Sequence, residues 1–498
     1  MENNPSINQG LLDSDDVSHI DPEILAEEEK ERKKFTDHSP LVTLLIMSLG
    51  PLGLFIYSSF DAIDLIVVSK GLKEIEPEVA EVIGFASTSF FIVLNFGTIV
   101  GQALTAYVTK LLGQRKREQA ALIANDIIRV SFLISIPVAV GFNFIIKPFL
   151  RFSNCPDELL DLSYKYLLPC VYLFPFFTLN TTEVYFLQSI GQAVLSGILK
   201  VVSAGVSTSI TSLLVFAFHV NSDYINFSVM GVEVVMSMIL FTLIYTGKFS
   251  VKPKFSMLIK KFYKETLSAF GLALPILFQV LYQILPPALV LKSMTSVDPE
   301  NAGLIGSAFS AFNKVSSILI SLVNSFSCGF LPAATHAYGA KNYKRIYQLL
   351  IWAIIISTLI VGIIQCVVVF APGIITGWIL NDAEHMDFAN NLLPIPFYVQ
   401  FLTGIYMPLS QFLVSIGKPI FSTIGWAVQT ACICTFAFVL PKIKNEASFV
   451  MNSYNISNAI VFAFFVVVFI IHHFKLKKQI AEEKDNRSMS ELTMPVLG

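Results

Sequence analysis

YFLQSIGQAVLSG occupies residues 185–197 and QFLVSIGKPIFST residues 411–423, so Phe-Leu-x-Ser-Ile-Gly is written twice, 226 residues apart. Each copy closes one long apolar run and opens the next across a very short turn, at Gly191 in the first and at Gly417-Lys418-Pro419 in the second. Glycine and proline in such places end one helix and start another. The surroundings decide what those helices are. A mean hydropathy of +0.66, with 54% hydrophobic and 14% charged residues over 498 positions, is more apolar surface than a soluble core hides. The chain therefore reads as an integral membrane protein. Its net charge of −2 averages over segregated tails and loops, and its six cysteines show no metal-ligand spacing.

A helix needs about 20 apolar residues to cross the hydrocarbon of a bilayer. That ruler finds twelve candidate spans, the first beginning at Leu41 and the last ending at Ile471. The copies of FLxSIG end the fourth and the tenth. An even number of helices separates them, so both point the same way, as in a parallel repeat about an axis along the membrane normal. Other landmarks keep nearly the same offset: Leu167-Leu168-Pro169 against Leu392-Leu393-Pro394, Gly113 against Gly339, and Pro51 against Pro275. The expected fold is an all-α membrane protein of twelve transmembrane helices in two pseudo-symmetric six-helix bundles. The expected organisation is a tail at 1–40, a bundle at 41–247, a basic linker at 248–266, a second bundle at 267–473 and a tail at 474–498.

The bases place both termini in the cytoplasm. Lys30, Arg32, Lys33 and Lys34, Arg115 to Arg117, the linker FSVKPKFSMLIKKFYKE (249–265), Lys344 and Arg345, and Lys475 to Lys478 share one side, whereas the other side is sparse in bases and dotted with acids. No phosphate-binding loop for ATP, no HExxH and no nucleophile elbow is written, which excludes an ATP-driven pump and the commoner hydrolases. Two equivalent bundles around an axis are the geometry of a secondary transporter.

The motifs FDAIDLIVVSKGL (60–72), GQALTAYVTKLLGQRKREQA (101–120), ALPILFQVLYQ (273–283) and GFLPAATHAYGAKNYKR (329–345), with the paired FLxSIG turns, resemble those of multidrug and toxic compound extrusion (MATE) transporters over roughly residues 41–441. The resemblance implies a V-shaped central cavity and efflux of mostly cationic amphiphilic compounds in exchange for protons or sodium ions. It implies no enzymatic activity and no cofactor beyond the coupling ion. The expected partners are small organic cations and the lipid bilayer, not nucleic acid. The chain is expected to act as a monomer in the plasma membrane.

An acid at the centre of a span costs about 2.5–3.5 kcal/mol on insertion scales, so each one needs a reason. Asp61, Asp64, Glu183 and Glu233 fall in the first six spans, whereas the last six hold only Lys314. Tyr57, Asp61 and Asp64 share one helical face with Phe60 beside them, an aromatic and acidic surface suited to an organic cation. Asp64 also stands where the family has the first-span aspartate implicated in cation coupling. Phe176, Asn180 and Glu183 share a face of the fourth span, so Glu183 reads as a second proton carrier or a substrate counter-charge; the alternative is a structural acid paired with a base such as Lys314. Ser207 and Thr211 stand where many members carry an Asn and an Asp that help hold the ion, and hydroxyls bring no charge there. Gln283 replaces the Glu of one branch on the substrate path, and no carboxylate stands near Ile405 in the tenth span. Glu233 has no evident partner, and Lys200 and Arg129 are expected to snorkel towards the cytoplasm. Two rivals remain: a lipid-linked oligosaccharide flippase, which needs a basic cavity, and a receptor or scaffold in which transport is lost.

Overall fold

The computed structural model describes residues 33–72, 78–152, 155–256, 261–380 and 382–492, with residues 26 and 76 besides. Among the described residues there is no strand. The spanning helices are α1 (Pro40–Gly71), α2 (Val79–Gly113), α3 (Arg117–Phe152), α4 (Asp157–Ser189), α5 (Ala193–Phe216) and α6 (Ser222–Tyr245), then α7 (Leu274–Val297), α8 (Ala302–Gly339), α9 (Tyr343–Phe370), α10 (Phe401–Ser415), α11 (Pro419–Ile443) and α12 (Asn452–Leu492). Helices α1 to α6 form one bundle and α7 to α12 the other. The side that carries the basic linker is called the linker side below.

The duplicated motif is one helix terminus built twice. Gly191 (φ 77°) and Gly417 (φ 73°) are left-handed, a conformation that glycine adopts without strain. The N–H of Gln192 then reaches back to the Leu187 carbonyl at 2.8 Å, and that of Lys418 to the Leu413 carbonyl at 2.8 Å. The serine in each copy donates to the carbonyl three residues before it, Ser189 to Phe186 at 2.7 Å and Ser415 to Phe412 at 2.8 Å. The turns after α2 and α8 repeat the device with Arg115 (φ 60°) and Lys341 (φ 57°).

The copies differ where proline density differs. Helix α4 runs unbroken through Pro169, but its counterpart is split into Ala383–Leu392, a 3-10 turn Ile395–Phe397 and α10, bent by 45°. Pro394 and Pro396 stand two residues apart there, and each removes a backbone donor. Helix α7 starts late for a similar reason, with Pro275 in its first turn after a short helix, Thr266–Phe270, and a 3-10 turn. At the other end, α12 continues as helix to Leu492, into the residues expected to form a tail, because KLKKQIAEEK is made of strong helix formers.

Lipid offers no hydrophobic drive between helices, so close approach of small residues holds the bundles together. Gly53 of α1 lies against the backbone of Gly197 on α5, and Gly50 against Ser196. Between the bundles, residues separated by the repeat offset meet. Gln102 Nε2 of α2 donates to Cys328 Sγ of α8 at 3.3 Å, and Gly113 lies against Gly339. The axis of the repeat therefore passes between α2 and α8.

The linker side of the junction is tied further. Phe35 stacks on His336 at 4.7 Å, and Arg345 donates to the His38 carbonyl at 3.0 Å and to Thr43 Oγ1 at 2.9 Å. The linker is pinned to α3: Asp126 accepts from the Tyr263 N–H at 2.7 Å and the Thr266 hydroxyl at 2.9 Å. Arg129, expected to snorkel, instead pairs with Asp126 at 3.0 Å and lies 3.7 Å over the Phe262 ring.

Gly53→Ala places a methyl group on the Gly197 backbone and is expected to lower stability by about 1–3 kcal/mol, read as a fall in thermal unfolding temperature. Gly205→Ala, on α5 with open space around it, is expected not to lower that temperature.

Candidate functional site

The polar side chains of α1, α4, α5 and α6 converge inside the first bundle. At its centre is a buried ion pair. Lys200 Nζ lies 2.6 Å from Glu233 Oε2, with the two side chains 2% and 1% exposed. Ser203, one turn along α5, donates to the other carboxylate oxygen at 2.6 Å. The Lys200 ammonium also lies 4.8 Å from the centre of the Tyr57 ring and 5.6 Å from that of Phe177. Glu233 sits at the midpoint of α6, and Lys200 about two turns from the linker-side end of α5. A lysine stem can run towards the membrane surface from there; this one turns inward, because the carboxylate offers a partner that lipid does not.

Glu183 is fully buried one helix away. Ser237 donates to its Oε2 at 3.0 Å, and its Oε1 has no hydrogen-bond partner. Lys314 is exposed and is not its partner; the base within electrostatic reach is Lys200. Asn180, one turn before Glu183 on α4, is 1% exposed, and its Oδ1 is likewise without a partner.

Nearer the opposite side, Asp64 is half-buried beside Thr208 of α5, with Oδ1 unpartnered. Ser207 is 3% exposed and its hydroxyl is also unpartnered, whereas Thr211 shares a hydrogen bond of 2.9 Å with Ser228 of α6. Phe60 packs at the margin of the same apolar cluster that contains Tyr57 and Phe177. The Asp61 side chain lies outside the described residues.

Sequence reasoning thus brought Tyr57, Asp64, Asn180, Glu183, Ser207 and Thr211 to one bundle interior. Phe176 is set apart by its edge contact with Phe132 of α3, at 5.5 Å. Gln283 is separate altogether, on α7, where it donates weakly to the Gln279 carbonyl at 3.4 Å. The Lys200–Glu233 pair was missed. Two signals announced it: a lysine inside a span must find a counter-charge, and Lys200 and Ser203 lie three residues apart on one face.

The second bundle repeats this node without charge. Tyr282, Trp426 and Gln429 stand 225 or 226 residues after Tyr57, Lys200 and Ser203, and Asn458 stands 225 after Glu233. The Trp426 ring lies 5.6 Å from Tyr282. Gln429 Nε2 donates to Tyr406 Oη at 2.8 Å and to Asn458 Oδ1 at 2.9 Å, and Asn458 Nδ2 donates to Gln400 at 2.9 Å.

Twelve long helices lie in two bundles about a pseudo-two-fold axis, and among the described residues ten of them, or eleven with the bent pair, are long and apolar enough to cross a membrane; this is the architecture of a multi-pass membrane protein. Comparison with known proteins gives its family. The family model described as MatE matches residues 52–215 and 306–439, more than half of the chain. Among solved structures, the chain is similar to a transporter of the MOP superfamily from Pyrococcus furiosus, described as having a binding pocket of reverse polarity. They share 14% identity and a TM-score of 0.80, with 89% of this chain and 98% of that one covered. It is similar too to a multidrug resistance MATE transporter in an outward-facing conformation, at 15% identity and a TM-score of 0.78 over 90% of this chain and 98% of that one. A MATE structure in a straight conformation matches at 16% identity and a TM-score of 0.79, over 90% and 98%. No curated protein matches the chain. The chain belongs to the MATE family.

Lys200→Met or Glu233→Gln alone leaves an uncompensated buried charge and is expected to cost about 3–5 kcal/mol, whereas Lys200→Met with Glu233→Gln is expected to recover most of that loss. A double-mutant cycle on thermal unfolding checks it.

Proposed function

We propose that this transporter is an antiporter that expels organic, mostly cationic amphiphilic compounds in exchange for protons or sodium ions. Asp64 is its principal coupling acid and Glu183 its helper. The observation that supports this most directly is the Asp64 carboxyl, half-buried in α1 with one oxygen unpartnered and the Thr208 side chain beside it. A carboxyl in that setting can exchange a cation without first breaking an ion pair. Glu183 and Asn180 supply further unsatisfied oxygens on α4. Among the described residues, the lysine buried in this interior, Lys200, is neutralised by Glu233 and is not left over for the pyrophosphate of a flippase substrate.

With both termini in the cytoplasm, as the basic residues favour, the junction tied by Phe35, Gln102, Gly113 and Arg345 lies on the cytoplasmic side. The arrangement is then the outward-facing half of a rocking cycle. The plasma membrane is the site where such export clears a cell.

Ethidium accumulation in a drug-sensitive host tests the reading. The wild-type chain is expected to lower accumulation, and Asp64→Asn at equal membrane abundance to lose the gradient that one charge moved through 100 mV supports, somewhat above tenfold. Export that is absent from the wild type, or unchanged by Asp64→Asn, would contradict it.

A further inference from the structure

The node around Lys200 has the composition of a cation site. Two aromatic faces, Tyr57 and Phe177, flank the ammonium; a carboxylate, Glu233, neutralises it; and a hydroxyl, Ser203, completes the carboxylate's shell. Rings, an acid and a hydroxyl around one point are what a protein assembles to hold a positive charge away from water. Here the positive charge belongs to the chain itself.

Packing does not require it. The second bundle builds the equivalent node from Tyr282, Trp426, Gln429, Asn458 and Tyr406, which are uncharged, and closes it with hydrogen bonds of 2.8–2.9 Å. A buried ion pair gives little net stability compared with well-packed neutral groups, and its desolvation is costly. Holding the charged version in one bundle only therefore serves something other than folding.

We propose that this node is a cation site of the first bundle and that Lys200 fills it as a tethered ammonium, so that no sodium ion is needed there. The consequence for transport rests on the antiport reading above and sharpens it: the cation exchanged at Asp64 works beside a resident positive charge that never leaves. The occupancy of the node does not depend on that reading. Deleting the lysine side chain leaves a carboxylate, a hydroxyl and two rings around a space, and a small cation is expected to enter it.

The test uses the purified full-length chain in detergent, unfolded thermally in sodium chloride and in N-methylglucamine chloride at equal ionic strength. Lys200→Ala is expected to gain roughly 2 °C or more in sodium beyond any shift of the wild type, and Lys200→Ala with Glu233→Gln to show no gain beyond the wild type. The wild type is expected to show no shift of that size. A folded Lys200→Ala protein without a sodium response, or a wild-type shift as large as that of Lys200→Ala, would overturn the proposal. Should Lys200→Ala not yield folded protein, Lys200→Ser, which leaves the space open and adds only a short hydroxyl, carries the same expectations. A chain that exports no cation yet gains the sodium response on loss of Lys200 keeps this site and loses the antiport reading; export without that response does the reverse.

Discussion

The contact on which the architecture turns is the one between α2 and α8, where equivalent residues of the repeat face each other. A pseudo-two-fold axis brings each position on it against its own counterpart, so whatever stands there must tolerate itself or its replacement at close range. Gly113 against Gly339 meets that demand by having no side chain, and Gln102 against Cys328 meets it by a hydrogen bond. Small residues allow backbones to approach where lipid supplies no other drive. These contacts, and those of Phe35 and Arg345, gather on the linker side, where they tie the two bundles together. Each bundle is stiffened independently by its own glycine contacts, such as Gly53 against Gly197 in the first.

Charge is distributed with the same economy. Every buried ion must be paired or neutralised in a medium this dry. The first bundle holds Lys200 and Glu233 as a pair, with Glu183 and Asp64 outside it, each with an oxygen to spare. The paired acid has its charge balanced, and the other two keep an oxygen without a hydrogen-bond partner. The second bundle answers the same positions with amides, a phenol and an indole. One design is thus built once with charge and once with neutral groups.

Much of this was legible in the residues. The twelve helices, the duplication and the two FLxSIG turns follow from apolar run length and from glycine placement, both of which act locally. The split before α10 was not read, although Pro394 and Pro396 were in view, because the aligned Pro169 in the first copy sits inside an unbroken helix. The gathering of Tyr57, Asp64, Glu183, Ser207 and Thr211 followed from helical phase and from the family resemblance. Lys200 was misplaced because a lysine stem reaches about equally well to a membrane surface or to an acid on a neighbouring helix. Its partner is 33 residues away, and only the packing of α5 on α6 brings the two together. Gln283 stands apart because it belongs to the opposite bundle, where it donates to the Gln279 carbonyl.

The unequal nodes also bear on how the halves descend from one another. Two first bundles fused in tandem would bury a lysine and a glutamate in each, whereas two second bundles would pack amides and indoles throughout and hold no fixed ion at all. The present chain is a hybrid of those extremes. Its halves repeat one pattern without being interchangeable: only an exchange at both pairs of positions, 200 with 426 and 233 with 458, would carry the ion pair from one side of the axis to the other, and an exchange at one pair alone would strand a charge in each half.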